Sequence, residues 1–366
     1  MAASSTSLLR AGGQRILLVE PARSKQYHTV YPPLGLLKLA RYHRSRGDRV
    51  KLVSGLDGDG YDPDQIHVTS LFTYAWQPVH EAIRYYRRKY PKTKLTVGGI
   101  YATLCPAKLR EEFGYRIRIQ DGVLPGLDNL RPDYSLVPDW GASILFSTRG
   151  CVRKCRFCSV RELEPQFSAR KSIRSLVDPR HRRIIFWDNN ILASPYWRNI
   201  FAELAELKKS VDFNQGLDAR LLTEEIITEM RKFSVPMVRL AYDSDGIREP
   251  LKKAIDLLRA HGYNGRRIVV YCLYNFMDTP DGFHRRVRDL VDWGVVAYPM
   301  RYEPLKAAPK NTYVAPAWTA GQLDTVAQAR RVIGYGGAFP PYEGLRKKLD
   351  RAKDFDEAFR LRPIRP

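Results

Sequence analysis

The sequence predicts an α/β protein: a doubly wound parallel-sheet domain, then a second run of six strand–helix units, then a small helical region. Three observations carry that reading. Short apolar runs of strand length alternate with helical patterns from Arg15 to about residue 310, as in parallel sheets covered by crossover helices. A proline-punctuated stretch, Leu124 to Asp139, interrupts the alternation once, and 366 residues have room for two domains. From about Asn311 the chain turns helical and basic.

Residues 1–14 are expected to be a disordered lead, small and polar with only a Leu8-Leu9 pair. Residues 15–130 form the first domain. Its strands are expected at Arg15–Glu20, Arg49–Val53, Gln65–Phe72 and Lys94–Val97. A helix after Pro32-Pro33, with apolar spacing through Leu34, Leu37 and Tyr42, should end at Gly47, and another should cover about residues 77–90. Residues 131–142 read as linker. The second domain, 143–310, has strands expected at Ser143–Thr148, Arg183–Trp187, Asp212–Gly216, Met237–Tyr242, Ile268–Leu273 and Val295–Arg301. Residues 311–366 form the helical, basic end.

Composition narrows the function classes. Hydrophobic residues are 44% and charged residues 27%, without an apolar run near bilayer length, which predicts a soluble protein with no membrane partner. The start is too weakly apolar for a secretion signal. Five cysteines, odd in number and mostly clustered, point to a reducing cytoplasm. The net charge of +22 suggests an anionic partner such as nucleic acid or a phosphorylated metabolite, or else a basic surface with no specific partner.

Three of the five cysteines lie in Cys151-Val-Arg-Lys-Cys155-Arg-Phe-Cys158. Three thiolates on one short loop can hold three irons of a cubane cluster and leave the fourth open. A structural zinc site wants four ligands and no second Cys/His pair lies nearby, while a disulfide would strand one cysteine. The spacing, with an aromatic residue before the last cysteine, resembles the signature of the radical S-adenosylmethionine (SAM) enzymes. That resemblance implies that Cys151, Cys155 and Cys158 ligate a [4Fe–4S] cluster whose open iron chelates SAM. It implies reductive cleavage of SAM to a 5′-deoxyadenosyl radical, a low-potential electron donor of flavodoxin or ferredoxin type, and a partial (β/α)6 barrel for the second domain. Phe157 would pack over the cluster or adenine.

Further matches follow the later strands. Trp187-Asp188-Asn189-Asn190 stands where the family places groups that receive the SAM amino group, although Asp-Asn-Asn is also a good turn. Arg220, ending Asn214-Gln-Gly-Leu-Asp-Ala-Arg220, would reach a SAM or substrate carboxylate, or else form a surface ion pair. Ala241-Tyr-Asp243-Ser244 is similar to the Gly-Ile-Glu-Ser run near the SAM ribose and carboxylate, with Ala241 and Asp243 as departures. Asn275-Phe-Met-Asp-Thr-Pro-Asp-Gly282 occupies the place of the loop beside adenine. Cys272 on the fifth strand is a catalytic candidate if strand alternation points it inward, and otherwise a small buried hydrophobe. Cys105 is expected to be structural.

The first domain resembles the flavodoxin-like cobalamin-binding domain that precedes many radical SAM barrels, on Tyr31-Pro-Pro-Leu-Gly-Leu-Leu37, Thr69-Ser-Leu-Phe72 and Val97-Gly-Gly-Ile-Tyr-Ala-Thr103. It lacks the Asp-X-His-X-X-Gly loop that supplies the lower cobalt ligand; Pro21 to His28 follows the first strand instead, and His67 is mis-spaced. Cobalamin is therefore a doubtful cofactor. The acidic run Asp57 to Asp62 lacks the ligand pattern of a calcium loop and reads as a turn.

Basic residues gather near the cysteines: Arg149, Arg153, Lys154, Arg156 and Arg161, then Arg170, Lys171, Arg174, Arg180, Arg182 and Arg183. Their surplus suggests an anionic substrate or redox partner. The expected function is hydrogen abstraction that initiates methylation, rearrangement or oxidation. The alternative is a non-catalytic iron–sulfur protein that binds nucleic acid or senses redox state.

Overall fold

A computed structural model of the chain describes residues 13–21, 31–56, 60–333 and 343–360. It divides into two compact units, Met1–Trp140 with Lys306–Pro309 and Gly141–Leu305 with Lys310–Pro366. Most of the expected lead, His28 and part of the acidic run Asp57 to Asp62 lie outside the described residues.

The first unit contains β1 (Arg15–Glu20), α1 (Leu34–Ser45), β2 (Arg49–Ser54), β3 (Gln65–Ser70), α2 (Trp76–Lys89), β4 (Lys94–Gly99), α3 (Ile100–Leu104), α4 (Pro106–Phe113), β5 (Arg118–Gln120) and α5 (Pro125–Asp128). The strands form one parallel sheet in the order β2-β1-β3-β4-β5. This is a doubly wound order whose direction reverses between β1 and β3. The apolar run of β1 is buried at its four central residues, as a central parallel strand requires. At the start of α1, Pro33 stands where a helical N–H would be unpaired, and Gly47, at φ +83, follows its end.

The buried side of α1 differs from the expected one. Tyr42 is 38% exposed, while Lys38 is buried with Nζ 2.9 Å from Asp128 Oδ1. Arg44 likewise meets Asp133 at 2.8 Å. The proline-punctuated stretch therefore supplies counter-charges to α1, which apolar spacing alone does not reveal. The short β5 and the α3–α4 pair were also not expected.

The second unit contains β6 (Ala142–Leu145), β7 (Thr148–Arg149), α6 (Val160–Leu163), β8 (Ser168–Ala169), β9 (Arg183–Phe186), α7 (Trp197–Leu207), β10 (Ser210–Phe213), α8 (Glu224–Met230), β11 (Val238–Tyr242), α9 (Arg248–Ala260), β12 (Ile268–Tyr274), α10 (Pro280–Asp292), β13 (Val296–Arg301), α11 (Ala320–Ile333), α12 (Glu343–Arg351) and α13 (Phe355–Phe359). The six longer strands are parallel neighbours in chain order, β6-β9-β10 and β11-β12-β13. A seam lies between β10 and β11, crossed by Val211 N to Ser234 O and Leu217 N to Arg239 O, both 2.8 Å, and by the Arg239–Asp212 ion pair.

Alternation gives this sheet two faces. Leu145, Phe186, Phe213, Leu240, Val270 and Cys272 share one core with residues of the covering helices, such as Ile200, Ile227, Leu258 and Val287. Ile144, Ile185, Asp212, Arg239, Ala241 and Tyr271 fall on the opposite face. Helix starts are fixed locally: Thr223 and Thr279 cap α8 and α10 by accepting from Ile226 N and Gly282 N.

Candidate active site

All the expected site residues except Cys272 stand just beyond the carboxyl ends of the second unit's strands, where ligands of parallel α/β sheets bind. The cysteine loop is the tip of a lasso closed by the antiparallel pair β7–β8. Side chains alternate along it. Val152, Lys154 and Arg156 are exposed, whereas Cys151, Arg153 and Cys155 are half-buried.

Carboxylates hold this loop at three places. At its root, Asp188 accepts from Ser147 N (2.9 and 3.0 Å), Ser147 Oγ (2.6 Å), Thr148 N (2.5 Å) and Thr148 Oγ1 (2.7 Å). Behind it, Glu164 accepts from Arg149 Nη1 and Gly150 N, each at 2.7 Å, and from Asn189 Nδ2 at 3.1 Å. Gly150 has φ +67, and a Cβ there would lie 2.4 Å from Gln166 O, so the turn requires glycine. In the middle, Asp218 accepts from Arg153 Nε (2.9 Å), Asn190 Nδ2 (3.1 Å) and Arg220 Nε (2.7 Å).

Burial pushes the Cys155 and Cys158 thiols up, and Asp243 and the neighbouring thiols add to the shift; the Arg220 guanidinium opposes it at Cys155. Asp243 follows β11 and makes no hydrogen bond among the described residues. Burial raises its carboxyl to about 6 against the pull of Arg286 and Arg220. Ser244 beside it is exposed. Asn190 is 3% exposed, and its Oδ1 has no partner among the described residues. Phe157 meets Phe276 edge-to-face at 5.8 Å, and Phe276 packs on Tyr302 at 4.6 Å.

Two of these side chains are placed away from the role expected of them, and Cys272 takes its buried alternative. Asp188 does not face a ligand: it is 3% exposed, and both oxygens are taken by the backbone and hydroxyls of Ser147 and Thr148. Asn275 is fully buried at φ +66; its amide donates to Tyr302 O and Tyr313 O and accepts from Ala315 N, so it staples the chain after β12 rather than meeting adenine. Cys272 points to the helix-covered face, where complete burial pushes its thiol up to about 12. It is a core residue.

Arg220 takes the ion-pair alternative through its Nε. The basic run is also less free than its sequence suggests: Arg174 pairs with Glu203 and Glu206, Arg180 with Asp178, and Arg183 with Asp212. Glu164 and Asp218 were missed. Their one sequence signal is an acid set within a strongly basic stretch or beside arginine.

Three free thiols on one loop are donors of the kind an iron–sulfur cubane takes. Among the described residues no three His, Cys, Asp or Glu side chains close on a single metal position. A cubane instead spreads three thiolates over three irons, a looser grouping than one ion demands. In the first unit, by contrast, the described histidines do not fit an axial cobalt ligand. His80 is engaged by Glu112 and Tyr101, and His43 by Asp48. His67 lies in mid-strand under α1 beside His43, with burial lowering it to about 4. The Ser70 hydroxyl is closed between Gly98 O and Ala102 N.

No helix among the described residues is long and apolar enough to cross a membrane. No family model matches the chain, and no curated protein matches it. Its fold is similar to that of the cobalamin-dependent S-adenosylmethionine radical enzyme OxsB with aqua-cobalamin and S-adenosylmethionine bound, with TM-score 0.54 and 14% identity over 77% of this chain and 52% of that one. The apo, selenomethionine-labelled form of OxsB gives TM-score 0.50 and 13% identity over the same shares. The chain thus spans about half the length of these two structures.

Proposed function

We propose that this protein is a radical SAM enzyme in which Cys151, Cys155 and Cys158 hold a [4Fe–4S] cluster beside SAM. The reaction would start with hydrogen abstraction from an anionic substrate and lead to methylation, rearrangement or oxidation. The observation that carries this reading is the pinned three-thiol loop at the carboxyl end of a parallel sheet, sharing its rim with an acid raised to about 6. The likeness of fold to a radical SAM enzyme supports it.

When bound, cluster and SAM supply a one-electron route to cleavage of the sulfonium. The chain's own part is binding and orientation. The Asn190 Oδ1 offers an acceptor to an amino group, and the Asp243 carboxylate a counter-charge to a cationic ligand. Asn189 and Ser244 add polar groups, Arg220 favours the Cys155 thiolate, and the Phe157–Phe276 pair gives an apolar wall for a flat base. A low-potential flavodoxin or ferredoxin would supply the electron.

Anaerobic reconstitution should load about four irons. Reduction in the presence of SAM should then release 5′-deoxyadenosine, and Cys155→Ala should lose most of the iron. Full iron retention in that variant overturns the ligand assignment. Iron uptake without 5′-deoxyadenosine, together with salt-sensitive nucleic-acid binding, would favour the non-catalytic iron–sulfur alternative.

A further inference from the structure

Asp218 lies on a platform that the sheet holds rigidly. Asn214 N bonds Phe186 O at 3.1 Å, Gly216 N bonds Phe213 O at 3.0 Å, and Leu217 N bonds Arg239 O at 2.8 Å, so the turn before Asp218 is nailed to strands on both sides. Its carboxylate side chain is 5% exposed, and it joins Arg153, between the first two cysteines, to Arg220 and Asn190. The arginines hold this carboxyl below its usual range against the cost of burial, so it is an anion. Arg153 is the only residue between Cys151 and Cys155 whose side chain is not exposed.

We propose that Asp218 is a positioning residue for the cysteine loop: through Arg153 it fixes the spacing of Cys151 and Cys155, and as a buried anion it offsets the guanidiniums of Arg153 and Arg220 next to the thiolates. The second part rests on the reading of the loop as a cluster site. The first does not. With the anion present, one of the two guanidinium charges beside the thiolates is offset; without it, both are uncompensated and favour the more negative, reduced state of anything the thiolates hold.

The test compares wild type, Asp218→Asn, Asp218→Glu and Arg153→Gln. In iron-free protein, limited trypsin digestion reads how firmly the loop is held, because Lys154 and Arg156 are exposed. Asp218→Asn and Arg153→Gln should be cut there several-fold faster than wild type, and Asp218→Glu should be protected again. In reconstituted protein, Asp218→Asn should hold less iron, and its midpoint potential, followed by electron paramagnetic resonance, should shift to less negative values. Simple loosening of the fold would not produce that directed shift. Should Asp218→Asn fail to fold, Arg153→Gln removes the same contact from its more exposed side. Unchanged digestion and unchanged potential in both variants overturn the proposal. Faster digestion in a protein that takes up no iron even as wild type would keep the positioning role and instead sink the cluster reading.

Discussion

Replacing Asp243 by asparagine should stabilise the metal-free protein, most at neutral pH and least in acid. The folded-state carboxyl stands at about 6, against an ordinary value of 3.8. Its ionisation in the fold therefore costs about 3 kcal/mol, since each pH unit corresponds to about 1.36 kcal/mol. The sign follows from proton binding: between pH 4 and 6 the folded protein binds this proton more tightly than the unfolded chain does. Stability accordingly falls as pH rises through that window, with the full penalty above about 6. Asp243→Asn removes the titration, so it should gain up to about 3 kcal/mol at pH 7.5 and almost nothing at pH 3.5. At about 2–4 °C per kcal/mol, that is an increase of roughly 6–12 °C in the second unit's melting midpoint. Thermal unfolding of both proteins by circular dichroism from pH 3.5 to 8 reads it directly. Parallel pH profiles, or a variant less stable at pH 7.5, would show that Asp243 is not a strained acid and remove the basis for its ligand-facing role.

Asp188→Ala strands the Ser147 and Thr148 donors in the interior; at about 1–3 kcal/mol for each buried orphan, a loss of about 2–4 kcal/mol is expected in urea unfolding, together with reduced iron uptake. Gly150→Ala puts a Cβ into the Gln166 carbonyl at a left-handed position and should cost at least about 2 kcal/mol, so a melting temperature equal to wild type would contradict the tight turn described. SAM cleavage should proceed in protein grown and assayed without cobalamin, whereas stoichiometric cobalamin ligated by His28 or His67 would refute that expectation. Substrate binding that depends on exposed charge should weaken steeply with salt and in the Lys154→Gln/Arg156→Gln double variant, while Arg174→Gln, already paired with Glu203 and Glu206, should matter little.

Where the sequence was readable, the reason was local. The strand of Arg15–Glu20, the helix after Pro32-Pro33 and the parallel repeats after residue 142 each announce themselves by periodicity and caps. Cys151, Cys155 and Cys158 could be grouped from spacing alone because a single loop carries all three. What escaped depends on contacts distant in sequence. Asp188 looks like a ligand-facing residue until Ser147 and Thr148, some forty positions away, are seen to use both oxygens. Asn275 reads as part of a loop until Ala315 and Tyr313 fold back onto its amide. Cys272 sits on a strand buried on both faces, where alternation predicts two sides without saying which one the helices cover.

The fold also sorts its five thiols in a way an experimenter can exploit. Cys105 and Cys272 are 6% and 0% exposed, whereas Cys151, Cys155 and Cys158 are all partly open to solvent. An alkylating reagent applied to the native protein at alkaline pH, where the raised Cys155 and Cys158 thiols also ionise, should consume three equivalents in a first, faster phase and the remaining two only after unfolding. The size of the fast phase then serves as an internal gauge: three equivalents mark an empty loop, and any shortfall counts the sulfurs already occupied. Occupancy can thus be read from one chain without iron standards and before any substrate is known.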